Sequence, residues 1–279
     1  MVPQSFRSTV HITHITTATS VIEIDGVNFL TDPVFCPAPA EYDITDVMPK
    51  GTQKTVLKVS EGPALGLDKI PVIDVVLLSH EDHIDNLDEM GRRLLDGRRV
   101  ITTPDGAKNL SPRPGVLGIK PWETVIMAIN GIEWEITGVP CVHLDGEVTG
   151  FVLSTKNFGM SPEGLPNAIY FTGDTILLPE HDEIAKRFHI VISLMNLGDA
   201  RFPVTGRDEP LQITMGGKEG AQLFKKLGAD ILVPIHYESW AHFTQHGKEL
   251  KEAFEEAGVE DKVCWLVPGK RKCLVGPSA

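Results

Sequence analysis

The sequence feature that most constrains the fold is the apolar run Ile70–Leu78, which reads IPVIDVVLL. A run this rich in β-branched residues is typical of a strand that is buried on both faces. Asp230–Ile235 has the same character, and helical patterns follow the two runs at Asp85–Leu95 and Lys248–Ala257. The chain is therefore expected to contain strands that are covered on both sides by other layers.

The remaining pattern predicts a β-rich part, a second β-rich part and a final part in which strands alternate with helices. Two halves, each a sheet with helices on one side, would stack sheet to sheet in a four-layer α/β/β/α sandwich. We expect one α/β domain over residues 1–279. The Pro- and Gly-rich stretch Cys36–Gly66 is expected to be an irregular excursion of the kind that often forms a lid, and Val263–Val267 a closing strand. The other predicted strands are Val10–Ile15, Thr19–Ile24, Val27–Leu30, Val100–Thr102, Thr124–Ile129, Ile132–Val139, Gly150–Ser154, Ala168–Thr172 and Ile190–Met195, and the other helices are Asp105–Leu110 and Met215–Leu227.

A cluster of metal-binding residue types follows the first buried run directly, with the sequence SHEDHIDN over Ser79–Asn86. It contains His80, His83 and three carboxylates at a junction between a strand and a helix. Imidazole nitrogens and carboxylate oxygens both bind zinc. The alternative interpretation is an acidic helix cap with two exposed histidines.

Three further ionisable residues follow apolar strands in the same way. They are His143, Asp174 and His236, and each alone has an ordinary interpretation as a strand-end, turn or capping residue. Functional sites tend to lie at strand ends. A buried ionisable group also needs a partner, which a divalent cation supplies. We therefore expect these residues to meet His80 in one metal site.

This order of motifs resembles the metallo-β-lactamase superfamily. The likeness is strongest to the branch with bacterial ascorbate-6-phosphate lactonase and the N-acyl-phosphatidylethanolamine phospholipase D type. It covers the opening hairpin Thr19–Pro33, the histidine cluster, the single His143, the Gly173-Asp174-Thr175 motif and the terminal His236. The resemblance implies the α/β/β/α sandwich and a metal-dependent hydrolase.

The chain departs from the H-x-H-x-D-H motif that is usual in this superfamily. With one inserted residue, His80 and His83 match the first two histidines, Asp85 matches the aspartate, and Asn86 stands in place of the last histidine. Without a gap, His80 matches the second histidine, Asp82 the aspartate and His83 the last histidine. We favour the gapped alignment because it keeps both histidines for the first metal.

The resemblance then implies two metal positions of unequal strength. His80, His83 and His143 would hold the first ion, and Asp85, Asp174 and His236 would hold a second, weaker one. Zinc fits these ligands, and manganese or iron would accept the same nitrogen and oxygen set. The implied mechanism is hydrolysis by a water whose pKa the metal lowers, with Asp85 orienting that water and accepting its proton.

The segment Tyr237–Phe243 follows the last predicted ligand and is rich in aromatic and polar side chains. It would form a wall for the substrate, with His242 or Tyr237 as an acid or as a hydrogen-bond donor to an oxyanion. The alternative is a helix start that packs through Trp240 and leaves His242 exposed.

Charge and composition narrow the class of partner. The formal net charge of −12 disfavours nucleic-acid substrates, and the one compact basic run, Lys270–Lys272, is expected to be a solvated tail. No apolar run approaches the roughly 18 residues that a membrane span needs. The N-terminal residues lack the hydrophobic segment of a signal peptide. We therefore expect a cytoplasmic protein that acts on a small molecule, with no nucleic acid and no membrane span, and we leave the oligomeric state open.

Three functional hypotheses follow from the sequence. The first is a zinc-dependent hydrolase of a lactone, ester, amide or phosphodiester bond in a small metabolite. The second keeps the metal but changes the reaction to that of a lyase, an isomerase or an oxidoreductase. The third is a non-catalytic metal-binding protein with a degenerate second site. Fold alone does not choose between them.

Overall fold

The computed structural model describes residues 5–45, 54–144, 146–202 and 209–276 of the 279. The strands are β1 (Val10–Thr16), β2 (Thr19–Ile24), β3 (Val27–Thr31), β4 (Ala40–Asp43), β5 (Val56–Val59), β6 (Val75–Leu77), β7 (Arg99–Thr102), β8 (Val116–Gly118), β9 (Thr124–Ile129), β10 (Ile132–Pro140), β11 (Thr149–Ser154), β12 (Asn167–Phe171), β13 (His189–Asn196), β14 (Arg201–Phe202), β15 (Leu211–Gln212), β16 (Ile231–Ile235) and β17 (Lys272–Val275). The helices are α1 (Glu89–Leu94), α2 (Pro104–Asn109), α3 (Asp182–Arg187), α4 (Gly217–Leu227) and α5 (Gly247–Ala257). No helix within these ranges has both the length and the apolar character that a membrane span requires.

Two large mixed sheets form the centre of the molecule. The first has the strand order β17-β1-β2-β3-β6-β7-β8, and the second has the order β16-β13-β12-β11-β10-β9. Within the first sheet β3, β6, β7 and β8 run parallel, and within the second β12, β13 and β16 run parallel. Two small antiparallel sheets, β4-β5 and β14-β15, complete the strand pairing.

Alternation along the strands divides the apolar side chains between three cores. In β6, Val75 and Leu77 lie in the core between the two sheets, whereas Val76 lies in the core between the first sheet and its helices. Leu94 of α1 packs in that outer core, and Phe224 of α4 packs in the matching core on the far side of the second sheet. The layers are therefore helix, sheet, sheet and helix, as the sequence predicts.

Several predicted elements differ from the observed ones in extent. The predicted strand Ile70–Leu78 is reduced to β6, because only Val75–Leu77 pairs with β3 and β7. The predicted helix Asp85–Leu95 begins only at Glu89, because the Asp88 side chain accepts the N–H of Gly91 and caps the helix there.

Three other sequence predictions need correction. Cys36–Gly66 is not wholly irregular, since β4 and β5 pair within it; residues 46–53 lie outside the described ranges. Val263–Val267 is not a strand, because Val263 makes only a single bridge to Leu232, and the edge strand beside β1 is β17. The basic run is therefore not a free tail, and Arg271 pairs with Glu23 at 2.7 Å.

The core between the sheets depends strongly on Trp134, which is fully buried and lies edge-on to Phe29 with ring centroids 4.8 Å apart. We expect Trp134→Ala to lower the free energy of unfolding by about 3–5 kcal/mol, because it leaves a large cavity in a close-packed core. Urea unfolding followed by circular dichroism measures this. Ile126→Ala in the adjacent strand is the control, since Ile126 is 63% exposed and should change stability by less than about 0.5 kcal/mol. Equal effects from the two variants would contradict the assigned core.

Candidate metal centre

The four predicted strand-end residues meet at one edge of the two sheets. His80 follows β6 of the first sheet, and His143, Asp174 and His236 follow β10, β12 and β16 of the second. All four are buried, with at most 8% of the residue exposed. The carboxyl ends of these strands therefore bring residues that are distant in sequence together in one buried cluster. Ligand-binding sites of open α/β sheets usually lie at this position.

Three histidines form the first group of potential ligands: His80, His83 and His143. The Nδ1 atom of His83 lies 3.1 Å from Nε2 of His80 and 3.2 Å from Nε2 of His143. Four ligands arranged tetrahedrally around zinc, each about 2.0–2.1 Å from the ion, lie about 3.3 Å from one another. The three nitrogens are therefore spaced as ligands of one small cation would be.

Hydrogen bonds at the far side of the rings fix which nitrogen is free. Nδ1 of His143 lies 2.7 Å from the carbonyl oxygen of Ile213. A carbonyl only accepts, so Nδ1 carries the proton and the lone pair of Nε2 is available to a metal. Burial lowers the pKa of His143 to about 4 and that of His80 well below its usual range. Both rings are therefore neutral at neutral pH, as metal ligands must be.

Asp32 and Ser79 orient His80, and neither is among the residues predicted from the sequence to form the site. Asp32 accepts the Ser79 N–H at 2.7 Å and the Ser79 hydroxyl at 2.8 Å. The Ser79 oxygen is then free to accept from Nδ1 of His80, 2.9 Å away, which leaves the lone pair on Nε2. Burial raises the pKa of Asp32 to about 7, although the Ser79 hydrogen bonds favour the carboxylate. The available signal was an aspartate directly after the apolar strand β3.

Asp85, Asp174 and His236 form the second group. Nε2 of His236 lies 3.4 Å from Asp174 and 3.7 Å from Asp85, and it has no hydrogen-bond partner although it is buried. Its Nδ1 lies 3.2 Å from the Leu197 carbonyl and donates to it, so Nε2 is the nitrogen that would bind a metal once its own proton is released. A buried nitrogen without a partner between two carboxylates fits a bound cation.

The two groups adjoin one another through Asp174. Its Oδ2 lies 4.0 Å from Nε2 of His143 in the first group and 3.4 Å from Nε2 of His236 in its own. The donor sets, three imidazoles beside two carboxylates and an imidazole, suit zinc, manganese or iron. The residues present therefore fit two neighbouring metal positions.

The geometry also bears on the two alignments of the histidine cluster. Asp82 is exposed and belongs to neither group, whereas Asp85 belongs to the second. Asn86 is fully buried, and its side-chain amide donates to Asp32 at 3.1 Å. This arrangement favours the gapped alignment, in which Asn86 stands where the superfamily motif has its last histidine.

A cavity of about 190 Å³ opens above both groups. Its floor includes His83, His143, Asp85, Asp174 and His236. Its walls come from the two small sheets and the loops beside them. The apolar wall residues are Tyr42, Ile44, Leu57, Ile84, Leu144, Ala200, Phe202 and Ile213.

Of the two predicted catalytic residues after β16, only His242 lines the cavity. Its Nε2 lies 3.3 Å from Oδ2 of Asp85. The prediction for Tyr237 is not supported, because that ring packs on the helix side of the second sheet and lies edge-on to Trp265, 6.0 Å away. The alternative of a helix start is not observed either, because Tyr237–Phe243 forms bends and a turn with a single bridge from Trp240 to Val59.

Comparisons with known proteins agree with this architecture. A family model described as a beta-lactamase superfamily domain matches residues 27–237. A protein of Methanopyrus kandleri described as a UPF0173 metal-dependent hydrolase is 26% identical over 259 residues, which cover 89% of this chain and 93% of that protein.

Two solved structures share the fold. An isothiocyanate hydrolase from gut bacteria of Delia radicum is 22% identical with a TM-score of 0.73, covering 94% of this chain and 98% of its own. Igni18, a metallo hydrolase from Ignicoccus hospitalis, is 20% identical with a TM-score of 0.66, covering 96% and 99%. The lactonase and phospholipase D branch stays a prediction. The matched family model spans most of the chain, and the chain belongs to the metallo-β-lactamase superfamily.

Proposed function

We propose that the protein is a metal-dependent hydrolase of a small, uncharged molecule. The observation that carries the proposal is the pair of adjoining ligand groups on the floor of a partly enclosed cavity. The Methanopyrus kandleri relative is described as a metal-dependent hydrolase, which supports the same class of reaction. A bound metal supplies a Lewis acid and an activated water at neutral pH.

In this proposal, His80, His83 and His143 hold the first ion, and Asp85, Asp174 and His236 hold the second. Zinc is the metal that we expect, since the first group consists of imidazoles at a tetrahedral spacing.

Asp85 is the residue that we propose to orient the attacking water and to accept its proton. Burial disfavours its charge, but the neighbouring His236 and His242 outweigh burial and hold the pKa of Asp85 well below its usual range. Asp85 is therefore a carboxylate at neutral pH, and it lies on the cavity floor where a water beside both groups would be within reach.

The lining of the cavity indicates the class of substrate. No lysine or arginine of the described ranges lines it, whereas Asp43, Asp82, Asp85 and Asp174 do. The nearby Arg201 is paired with Asp199 at 3.0 Å. Away from the proposed metals, a phosphate or carboxylate group would find no side-chain cation within the described part of the wall and would lie near Asp43 and Asp82. The apolar walls instead favour a small, uncharged substrate whose electrophilic carbon lies near the floor of the cavity.

Removal of one histidine ligand should abolish metal binding and turnover together. We expect His83→Ala and His143→Ala each to lose the first metal and to lower kcat by at least about 10³-fold, because the activated water is lost. Metal content by mass spectrometry and turnover on uncharged lactones, esters and isothiocyanates, with and without chelator, measure this. His11→Gln is the control, because His11 belongs to neither group. Metal content unchanged in both alanine variants would refute the site. Full metal without turnover on any substrate would instead favour a binding protein.

Preference for neutral substrates can be tested with pairs of esters of equal size that differ in one carboxylate. We expect kcat/KM to be at least about 10-fold higher for the neutral member when the carboxylate lies at the end remote from the metals, because the wall there is apolar and carries Asp43 and Asp82. Asp43 lies in the wall of the cavity rather than on its floor. Its replacement by Asn should reduce the difference in kcat/KM between the neutral and the charged ester. A preference for the anionic ester would contradict the proposed substrate class.

Metal binding to the second group should release a proton from His236. Burial opposes the charge on His236, but Asp174 and Asp85 outweigh it and raise the pKa of His236 to about 9. The ring is therefore protonated at about pH 7 and must lose about one proton to bind a metal, whereas above the pKa it has none to lose. Calorimetric titration of the second metal in buffers of different ionisation enthalpy should show this proton at about pH 7 and its loss at about pH 10. A proton count that does not change with pH would contradict the charge assigned to His236.

A further inference from the structure

The second ligand group has three protein atoms, and Asn86 stands where the superfamily motif would add a histidine. We propose that His242, from the loop after β16, supplies the further ligand of the second metal. This inference rests on the proposed metal-binding function, and it gives His242 a different role from the acid or oxyanion donor that the sequence suggested.

The position of Nε2 is the main argument. It lies 3.3 Å from Oδ2 of Asp85, which is close to the 3.1 and 3.2 Å that separate the nitrogens of the histidine group. Ligands of one tetrahedral ion lie about 3.3 Å apart. His242 lies outside the set of ligand atoms within 4.8 Å of one another that Asp85, Asp174 and His236 form, so the ring would join an ion held by Asp85 by moving toward the floor of the cavity.

The surroundings of His242 hold the ring in this place. Its ring centroid lies 4.4 Å from that of Phe243, 5.5 Å from that of Phe202 and 6.1 Å from that of Trp240. Trp240 is itself fixed by a hydrogen bond from its indole N–H to Thr17 at 2.9 Å. The side chain of His242 is 9% exposed, so its ring is packed on several sides and faces Asp85 at Nε2.

The polar environment of this ring is dominated by Asp85. Nδ1 of His242 is buried without a partner, and within the described ranges its only polar contact is the one that Nε2 makes with Asp85. Burial of an imidazole with an unpaired nitrogen is unfavourable. Coordination of a cation through Nε2 would leave Nδ1 unpaired, so the distance to Asp85 and the place in the cavity wall are what point to His242 as a ligand.

Asn86 is the competing candidate, and two observations disfavour it. Its amide nitrogen is engaged by Asp32 on the first sheet. Its oxygen is buried without a partner, but a neutral amide oxygen binds zinc less well than an imidazole nitrogen. Both residues can be tested by the same measurement.

The experiment compares zinc binding by the wild type, His242→Ala, His242→Gln, Asn86→Ala and the control His11→Gln. Each purified protein is stripped with chelator and dialysed against buffered zinc, and bound metal is counted by mass spectrometry. We expect two zinc ions in the wild type and in His11→Gln. Both His242 variants should keep the first ion and lose affinity for the second by more than the roughly 10–100-fold typical of a residue that acts behind a ligand.

Cobalt substitution gives a readout that does not depend on activity. The absorption bands of cobalt report the ligands around it, so the bands of the second ion should change in His242→Ala and stay as in the wild type in His11→Gln. Retention of the first ion shows that a variant is folded.

Three results would overturn the proposal. They are a wild type that binds only one ion, His242 variants that bind the second as tightly as the wild type, or loss of the second ion in Asn86→Ala alone. None of these would refute the hydrolase itself, which is tested by wild-type turnover and by the loss of the first ion in His143→Ala.

Discussion

The structure depends on the burial of several ionisable side chains at the edge where the two sheets meet. Asp85 and Asp174 are buried carboxylates, and an unpaired buried carboxylate costs several kcal/mol. They persist because His236 lies between them and because the groups together form a cradle for cations. Closing the two sheets over each other creates this environment, so the residues proposed to bind metal come together only when the chain folds.

The central fold could be predicted because its information is local. In β6, neighbouring residues such as Val75 and Val76 face different cores, so one continuous apolar run marks a strand covered on both sides. The end of such a run marks an edge of the sheet. His80 and His236 could therefore be predicted as site residues without knowledge of their tertiary contacts. The sequence did not reveal Asp32 as the partner that orients His80 through Ser79, since that contact joins two strands distant along the chain.

Predictions failed where the chain reverses or pairs over long distances. Tyr237 and His242 belong to one short segment, yet the backbone changes direction between them at Ser239, which has a positive φ angle. Tyr237 therefore points to the helix layer and His242 to the cavity. The pairing of β17 with β1 likewise joins the two ends of the chain, and no local pattern distinguishes it from the apolar stretch at Val263.

The walls of the cavity and its floor come from different parts of the fold. Six of the seven candidate ligands lie in the loop after β6 or within three residues of the end of β10, β12 or β16 in the large sheets. Leu57 and Phe202 of the wall belong instead to the small sheets. Such walls can change in shape without moving the floor, as loops on a rigid frame generally can. His242 is the exception, because it packs against Phe202 and contacts Asp85. If His242 is a ligand, a substrate bound at the apolar end of the cavity would contact the ring that completes the second metal site. The shape of the substrate and the affinity for the metal would then be coupled through one side chain.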